Sequence, residues 1–582
     1  MLSLSWRKWP DAIIDFGREL YIPWRISNGS VLYKDIAYFF GPLSVYVNAF
    51  LFKIFGASFM VLAVFNIILI ILLTFVIYRI FLKTTNKLTA TAAISLFLAV
   101  FAFSQYTGIG NFNFVCPYTY SVTHGIFLSF LIIYIFLIYL ENRAHKLLYL
   151  IGVLLGLVFL TKPEVFFAIS IAVFLGICFL ISRAKSIIRD SLKIWSMILL
   201  GFLIPLVFFI VYLSASMPWS RALGSVILPY MAILKTSVIT SVFYSHIMGI
   251  DTLGVNAWKL MSVGTWYLLI IIVFRMINNS LFSNISSRRR ILVVVVILFS
   301  LILIFSLYTV ISIAWFQIFR VLPLTTLFLG SYILIVLSKM RDDVKIRKLL
   351  PLFIMSVFAF CLLFKIIFSV YIFHYGFALA MPAALLLIAG LFYYLPIFLS
   401  RDGRKNYFFQ TLSLILLGIV LITHMNVSRR IYGLKSYALG SGGDALFTFG
   451  YQSITVGGNS VKHAIDKIKG IVKEKENFVV FPEGVMLNYL TRRINPTPHL
   501  NFCPPELEIF GEDEILRSFM ENKPDYFILM HRNMSEYGCP ASGKYCGKKI
   551  LSWIEENYTP VFTSAIGSLT SRGSGFTISK RK

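Results

Sequence analysis

Long apolar runs recur along most of the chain, separated by short polar stretches. At about 20 residues per bilayer crossing, they predict twelve membrane spans: 57–80, 88–108, 118–140, 147–161, 164–182, 194–216, 259–277, 291–313, 321–339, 350–372, 377–399 and 408–425. The runs are continuous and do not alternate, so they read as helices and exclude a β-barrel. The fourth is short and is parted from the fifth only by "TKPE" at 161–164. Pro163 limits continuous helix there, which predicts a tight re-entry near one membrane face.

The two ends break this pattern. Residues 10–35, "PDAIIDFGRELYIPWRISNGSVLYKD", are charged and punctuated by Pro and Gly. They predict a helix from Pro10 or Asp11 to about Tyr21, interrupted at Pro23, then a turn at Asn28-Gly29 and an extended piece holding Tyr33 and Asp35. On that helix Asp11, Asp15 and Glu19, spaced i, i+4, i+8, share one face with Arg18 beside them. "GPLSVYVNAFLFKIFG" at 41–56 predicts a second helix, begun by Pro42, that lies on the membrane surface. Residues 1–56 thus form a first loop with amphipathic helices, and 57–425 the transmembrane domain. Residues 426–582 form a polar tail reached through a Gly-rich linker, "GSGGD" at 440–444. The tail predicts helices at 459–474, 484–493, 511–522 and 547–557, alternating with strands at 477–481, 525–530, 560–565 and 575–579: a small α/β domain. The fold class is an all-α polytopic membrane protein with this domain attached.

Composition agrees: 58% of residues are hydrophobic and only 14% charged, where soluble domains are nearer a quarter charged. The net charge of +27 suggests nucleic acid, but its distribution points elsewhere. Alternate loops (79–87, 141–147, 183–193, 275–290, 339–348, 401–405) carry 21 Lys and Arg against 5 in the intervening ones. Lys and Arg concentrate on the cytoplasmic side. The first loop, "TKPE", the 217–258 loop, Arg320 and the C-terminal domain are therefore expected on the extracytoplasmic side. Residues 1–30 lack the apolar core of a cleavable signal peptide. Of six cysteines, Cys503, Cys539 and Cys546 fall in the tail, where one pair can be oxidised, but an odd number leaves the pairing open. No phosphate-binding loop, dinucleotide fingerprint or zinc-type spacing occurs.

Ionisable groups at membrane depth are costly and are functional candidates. Lys162 and Glu164 in "TKPE", Arg320, Lys365 and His374 qualify, and the 105–125 segment adds Tyr118 and His124. Each has a plainer reading: a solvated helix face for the three carboxylates, snorkelling for Lys365, a hydrogen-bonded helix histidine for His124.

The run "DFGRE…PW…G…LYKD…FGPLSVY.NA…FG", the many spans and the α/β tail resemble the GT-C membrane glycosyltransferases. More narrowly they resemble glycosyltransferase family 39, with its protein O-mannosyltransferases and lipid A aminoarabinose transferases. The resemblance implies an inverting transfer from a polyprenyl-phosphate-linked sugar to a lipid, glycan or protein hydroxyl, at the outer face of a bacterial inner membrane. By position Asp15 matches the first-loop base, Glu19 fills the adjacent acidic slot and Asp35 is the alternative. Lys162, Arg320 and Lys365 are expected at the donor phosphate. Arg18, Tyr33, His124, Glu164 and His374 are expected at the substrates. Some members use a divalent cation, for which Asp15 and Glu19 are the candidate ligands, though the ligand count is thin. The family has a span before its first loop, so either a first span is missing from the start of this sequence, the simpler expectation, or the chain inserts with its N-terminus outside. A transporter or flippase of lipid-linked sugars and a non-catalytic scaffold are the alternatives. The absence of a repeat and the gathering of charge at one face weigh against transport.

Overall fold

A computed structural model describes residues 1–183, 186–234, 241–280, 315–399, 407–450, 457–530, 532–539, 546–564 and 575–582. Among these, nine helices are long and apolar enough to cross a membrane, from Phe59–Thr84 to Phe409–Leu434. Lys87–Ala102 and Lys146–Phe159 are shorter apolar helices at two further predicted spans, and the predicted span 291–313 lies outside the described residues. Local chemistry sets the helix starts. Ser58, Asn86 and Asp342 accept N–H bonds from the first turns of their helices, and Pro163 opens the helix Pro163–Ile181. Helices Lys146–Phe159 and Ile187–Ser214 approach closely because Gly152 and Gly156, four apart, let the carbonyls of Ile198 and Phe202 come where a side chain would stand.

The first loop differs from expectation at its key helix, which runs Phe16–Ser27 with Pro23 inside it. Asp11 is not on that helix. Its carboxylate accepts from the N–H groups of Ile13 and Ile14, both at 3.0 Å, and this local bonding competes with helix over residues 11–15. Asp11, Asp15 and Glu19 therefore do not form one helical face. The helix Leu43–Phe55 buries Val45, Asn48 and Phe52 and exposes Phe50, Ile54 and Phe55.

Helix Phe409–Leu434 continues past the predicted end of the last span. A two-stranded hairpin follows, Tyr437–Leu439 with Leu446–Thr448. The "GSGGD" segment is its turn and no loose linker. Asp444 there accepts from the Phe59 N–H and the Tyr489 hydroxyl, both at 2.8 Å, and pairs with Arg492 at 2.6 Å. The hairpin also takes the N-terminal segment: the Phe447 N–H donates to the Arg7 carbonyl at 2.8 Å, and Lys435 Nζ to the Lys8 carbonyl at 2.6 Å.

Beyond it, four strands form a mixed sheet in the order Phe478–Phe481, Tyr526–Met530, Phe576–Arg581, Tyr558–Thr563, the first pair parallel and the others antiparallel. Alternation along the strands builds two layers. Val479, Phe481, Phe527 and Leu529 pack with Phe519 and Ile550 of the flanking helices, while Phe478, Val480, Tyr526 and Ile528 join the core shared with the first loop and membrane helices. Gly17 shows how close that second contact is: the backbone of Met486 occupies the space a side chain would need.

Candidate active site

Where the first loop, the membrane helices and the α/β domain meet, a cavity of about 350 Å³ opens. Asp15, Arg18, Lys162, Glu164 and Lys365 line it, joined by Glu483 and Glu506 from the α/β domain. Phe40, Pro229, Phe243 and Phe364 supply part of its apolar wall.

One half is a carboxylate cluster around Arg18. The guanidinium reaches Asp15 at 3.5 Å, Glu19 at 3.6 Å and Glu506 at 3.6 Å, and lies over the Phe40 ring. Asp15 has φ +56°, ψ −51°, a conformation costly for any residue but glycine. Its N–H donates to Oε1 of Glu483 at 2.9 Å. Burial pushes the Asp15 carboxyl up to about 7; Arg18 opposes the shift, while Glu483 and Glu506 add to it. Glu506 is likewise pushed up to about 7 by burial, against the pull of Arg18. Glu19 lies behind Arg18 and accepts from the Tyr120 N–H at 2.9 Å; burial raises its proton affinity too.

The other half is cationic. Lys162 and Lys365 approach the same oxygen of Glu164, at 3.3 and 3.0 Å. Lys162 also donates to the Tyr118 hydroxyl at 2.6 Å, and Lys365 lies 4.8 Å from the Tyr375 ring centre. Tyr118 joins the halves, because its carbonyl accepts from Arg18 at 3.3 Å.

The remaining sequence candidates lie elsewhere. Arg320 does not line the cavity; it bonds Gln317, Asn256, the Phe368 carbonyl and Tyr371, so its N–H donors are occupied within the helix packing. Asp35 accepts from the Val31 N–H at 2.7 Å and closes its own turn. Tyr33 donates to the Phe40 carbonyl, and its own carbonyl accepts from Arg221. His124 is hydrogen-bonded to Ser44 at 3.0 Å, its plainer reading. His374 packs between Phe112 and Tyr375, behind the cavity wall. Asp15 and Glu19 do not frame a cation position together, since Arg18 is paired with both. No cluster of three or more His, Cys, Asp or Glu suited to a metal occurs among the described residues.

Sequence reasoning missed Glu483, Glu506 and Arg532. Arg532 pairs with Glu483 at 3.0 Å and with Glu536 at 2.7 Å, and Cys539 and Cys546 form a disulfide in the same region. The one available signal was "FPEGVMLNYLTRR", whose Glu483 falls two residues after a fully buried strand.

Residues 40–214, which include Tyr118, Lys162 and Glu164, match the dolichyl-phosphate-mannose-protein mannosyltransferase family. Over that stretch the chain carries the sequence pattern of a GT-C membrane glycosyltransferase. Solved structures of the Archaeoglobus fulgidus oligosaccharyltransferase are similar to this chain. Its complex with zinc and sulfate is 11% identical, with a TM-score of 0.48, covering 96% of this chain and 69% of that one. Its apo form is 12% identical, with a TM-score of 0.47, covering 98% and 72%. No curated protein sequence matches the chain.

Proposed function

We propose that this chain is a GT-C glycosyltransferase that moves a sugar from a polyprenyl-phosphate carrier to an acceptor hydroxyl on the extracytoplasmic side. The observation that carries the reading is a single cavity holding both a carboxylate of near-neutral proton affinity and a pair of lysines anchored on one glutamate. In this reaction Asp15 takes the proton of the acceptor hydroxyl. The oxygen bonds the anomeric carbon from one face while the bond to phosphate breaks on the other, its electron pair leaving on the phosphate oxygen. Lys162 and Lys365 meet the charge that develops there. Glu164 positions the lysines, and Arg18 holds Asp15.

Two further features support the assignment. The cavity-side ends of the helices Pro163–Ile181 and Asp343–Ile366 carry two basic residues, Lys162 and Lys365, whereas their opposite ends carry four, Arg183, Lys345, Arg347 and Lys348. That charge bias argues for an extracytoplasmic site. The apolar wall suits an isoprenoid chain arriving from the bilayer.

The test is sugar transfer by purified protein across a panel of polyprenyl-phosphate sugars, wild type against Asp15→Asn. Transfer by wild type and its loss in the folded variant are expected. Full activity of Asp15→Asn overturns the base assignment, and no transfer from any carrier overturns the reaction.

A further inference from the structure

Asp15 is held in its unusual backbone conformation from a distant part of the chain. Its neighbours in the first loop leave its N–H to Glu483, which accepts at 2.9 Å across 468 residues of sequence. The other carboxylate oxygen of Glu483 is fixed by Arg532 at 3.0 Å, and Arg532 is fixed in turn by Glu536. Glu483 and Arg532 side chains are only 5% and 4% accessible, so neither is a mobile surface group. Next to this bond the helix Phe16–Ser27 is pressed, through Gly17, onto the backbone of Met486. The anchor is therefore short, rests on a buried ion pair and is doubly supported.

We infer that Glu483 is a positioning residue for the transfer reaction: it fixes the backbone of Asp15 and so aims the Asp15 carboxylate into the cavity. The inference rests on Asp15 being the base. A neutral amide or a carbonyl could accept the same N–H bond. A carboxylate adds negative charge beside the base, which favours the protonated form of Asp15 and makes it a better proton acceptor near neutral pH. A residue that merely docked the α/β domain would need the bond but not the charge.

Glu483→Gln and Glu483→Ala separate these roles in the full-length protein. The Gln side chain keeps an acceptor oxygen without the charge, and Arg532 keeps Glu536. Protonation of Asp15 is read without catalysis, by dicyclohexylcarbodiimide labelling across pH 5–9 with mass spectrometry of the Asp15 peptide. Labelling in wild type is expected to fall with a midpoint near 7, and in Glu483→Gln to fall about one pH unit lower. Glu483→Ala is expected to lose about 100-fold in kcat with little change in donor KM, through misplacement of the base. A Glu483→Ala enzyme with wild-type kcat overturns the inference. An unchanged labelling midpoint in a folded Glu483→Gln protein overturns the effect of the Glu483 charge on Asp15. Full activity of Asp15→Asn overturns the base assignment instead, and the labelling result then stands as a statement about Asp15 alone.

Discussion

Lys162 and Lys365, 203 positions apart, converge on one oxygen of Glu164. Two ammonium groups sharing one carboxylate leave an excess of positive charge, held between Phe40, Tyr118 and Tyr375. Removing either lysine by Lys162→Met or Lys365→Met should lower kcat/KM for the lipid-linked donor about 10²- to 10³-fold, the usual size for loss of one group that meets developing charge. Initial rates at varied donor concentration check this, with thermal unfolding to confirm the fold. A loss confined to acceptor KM would place the lysines at the wrong substrate.

The pH dependence follows from Asp15. As the proposed base Asp15 must be ionised, and burial pushes its carboxyl up to about 7. At saturating donor the rate should climb between pH 6 and 8 with a midpoint close to 7. Stability should move oppositely. A carboxyl with folded proton affinity above its unfolded value of 3.8 favours the folded state while protonated, so that contribution fades as pH rises towards 7. Asp15→Asn should therefore gain stability relative to wild type between pH 4 and 7, then stay level. Melting temperatures at several pH values check the sign.

Arg320 gives a contrasting expectation. It ties residue 256 to the 368–371 segment by hydrogen bonds and lines no part of the cavity. Arg320→Met should cost about 1–3 kcal/mol of stability. The protein that remains folded should turn over within about threefold of wild type, a small effect beside the lysine losses. A collapse of kcat without loss of stability would return Arg320 to the donor site.

Gly17→Ala tests the seam between the first loop and the α/β domain. A methyl group there meets the Met486 backbone, which cannot rotate away. Overpacking of this kind costs about 1–3 kcal/mol. Protease sensitivity of the α/β domain should rise, and activity should fall with it.

The membrane helices and the tail domain were readable because each rests on local pattern. Apolar runs name spans, and alternation with turn residues names the strands that form the sheet. Lys162, Glu164 and Lys365 were readable too, since a charge within an apolar run stands out. Asp35 and Arg320 stood out equally, and the structure shows both hydrogen-bonded to neutral groups away from the cavity. Glu506 had no signal and Glu483 only its place after a buried strand, because acidic residues are ordinary in a polar domain and their meaning comes from long-range contact with the first loop. The helix Phe16–Ser27 started later than spacing suggested because Asp11 spends its carboxylate on local N–H groups.

The clasp on the N-terminal segment has a consequence for biogenesis. Arg7, Lys8 and Asp15 find their partners at Phe447, Lys435 and Glu483. A ribosome adding roughly 5–20 residues per second needs roughly 20 to 90 s to travel from the first group to the second. Throughout that time the Asp15 segment is made without its far anchors, with only the nearer contacts to Tyr118 and Tyr120 to hold it. The cavity is thus completed last, and an interrupted chain carries Asp15 without the Glu483 contact that fixes its backbone.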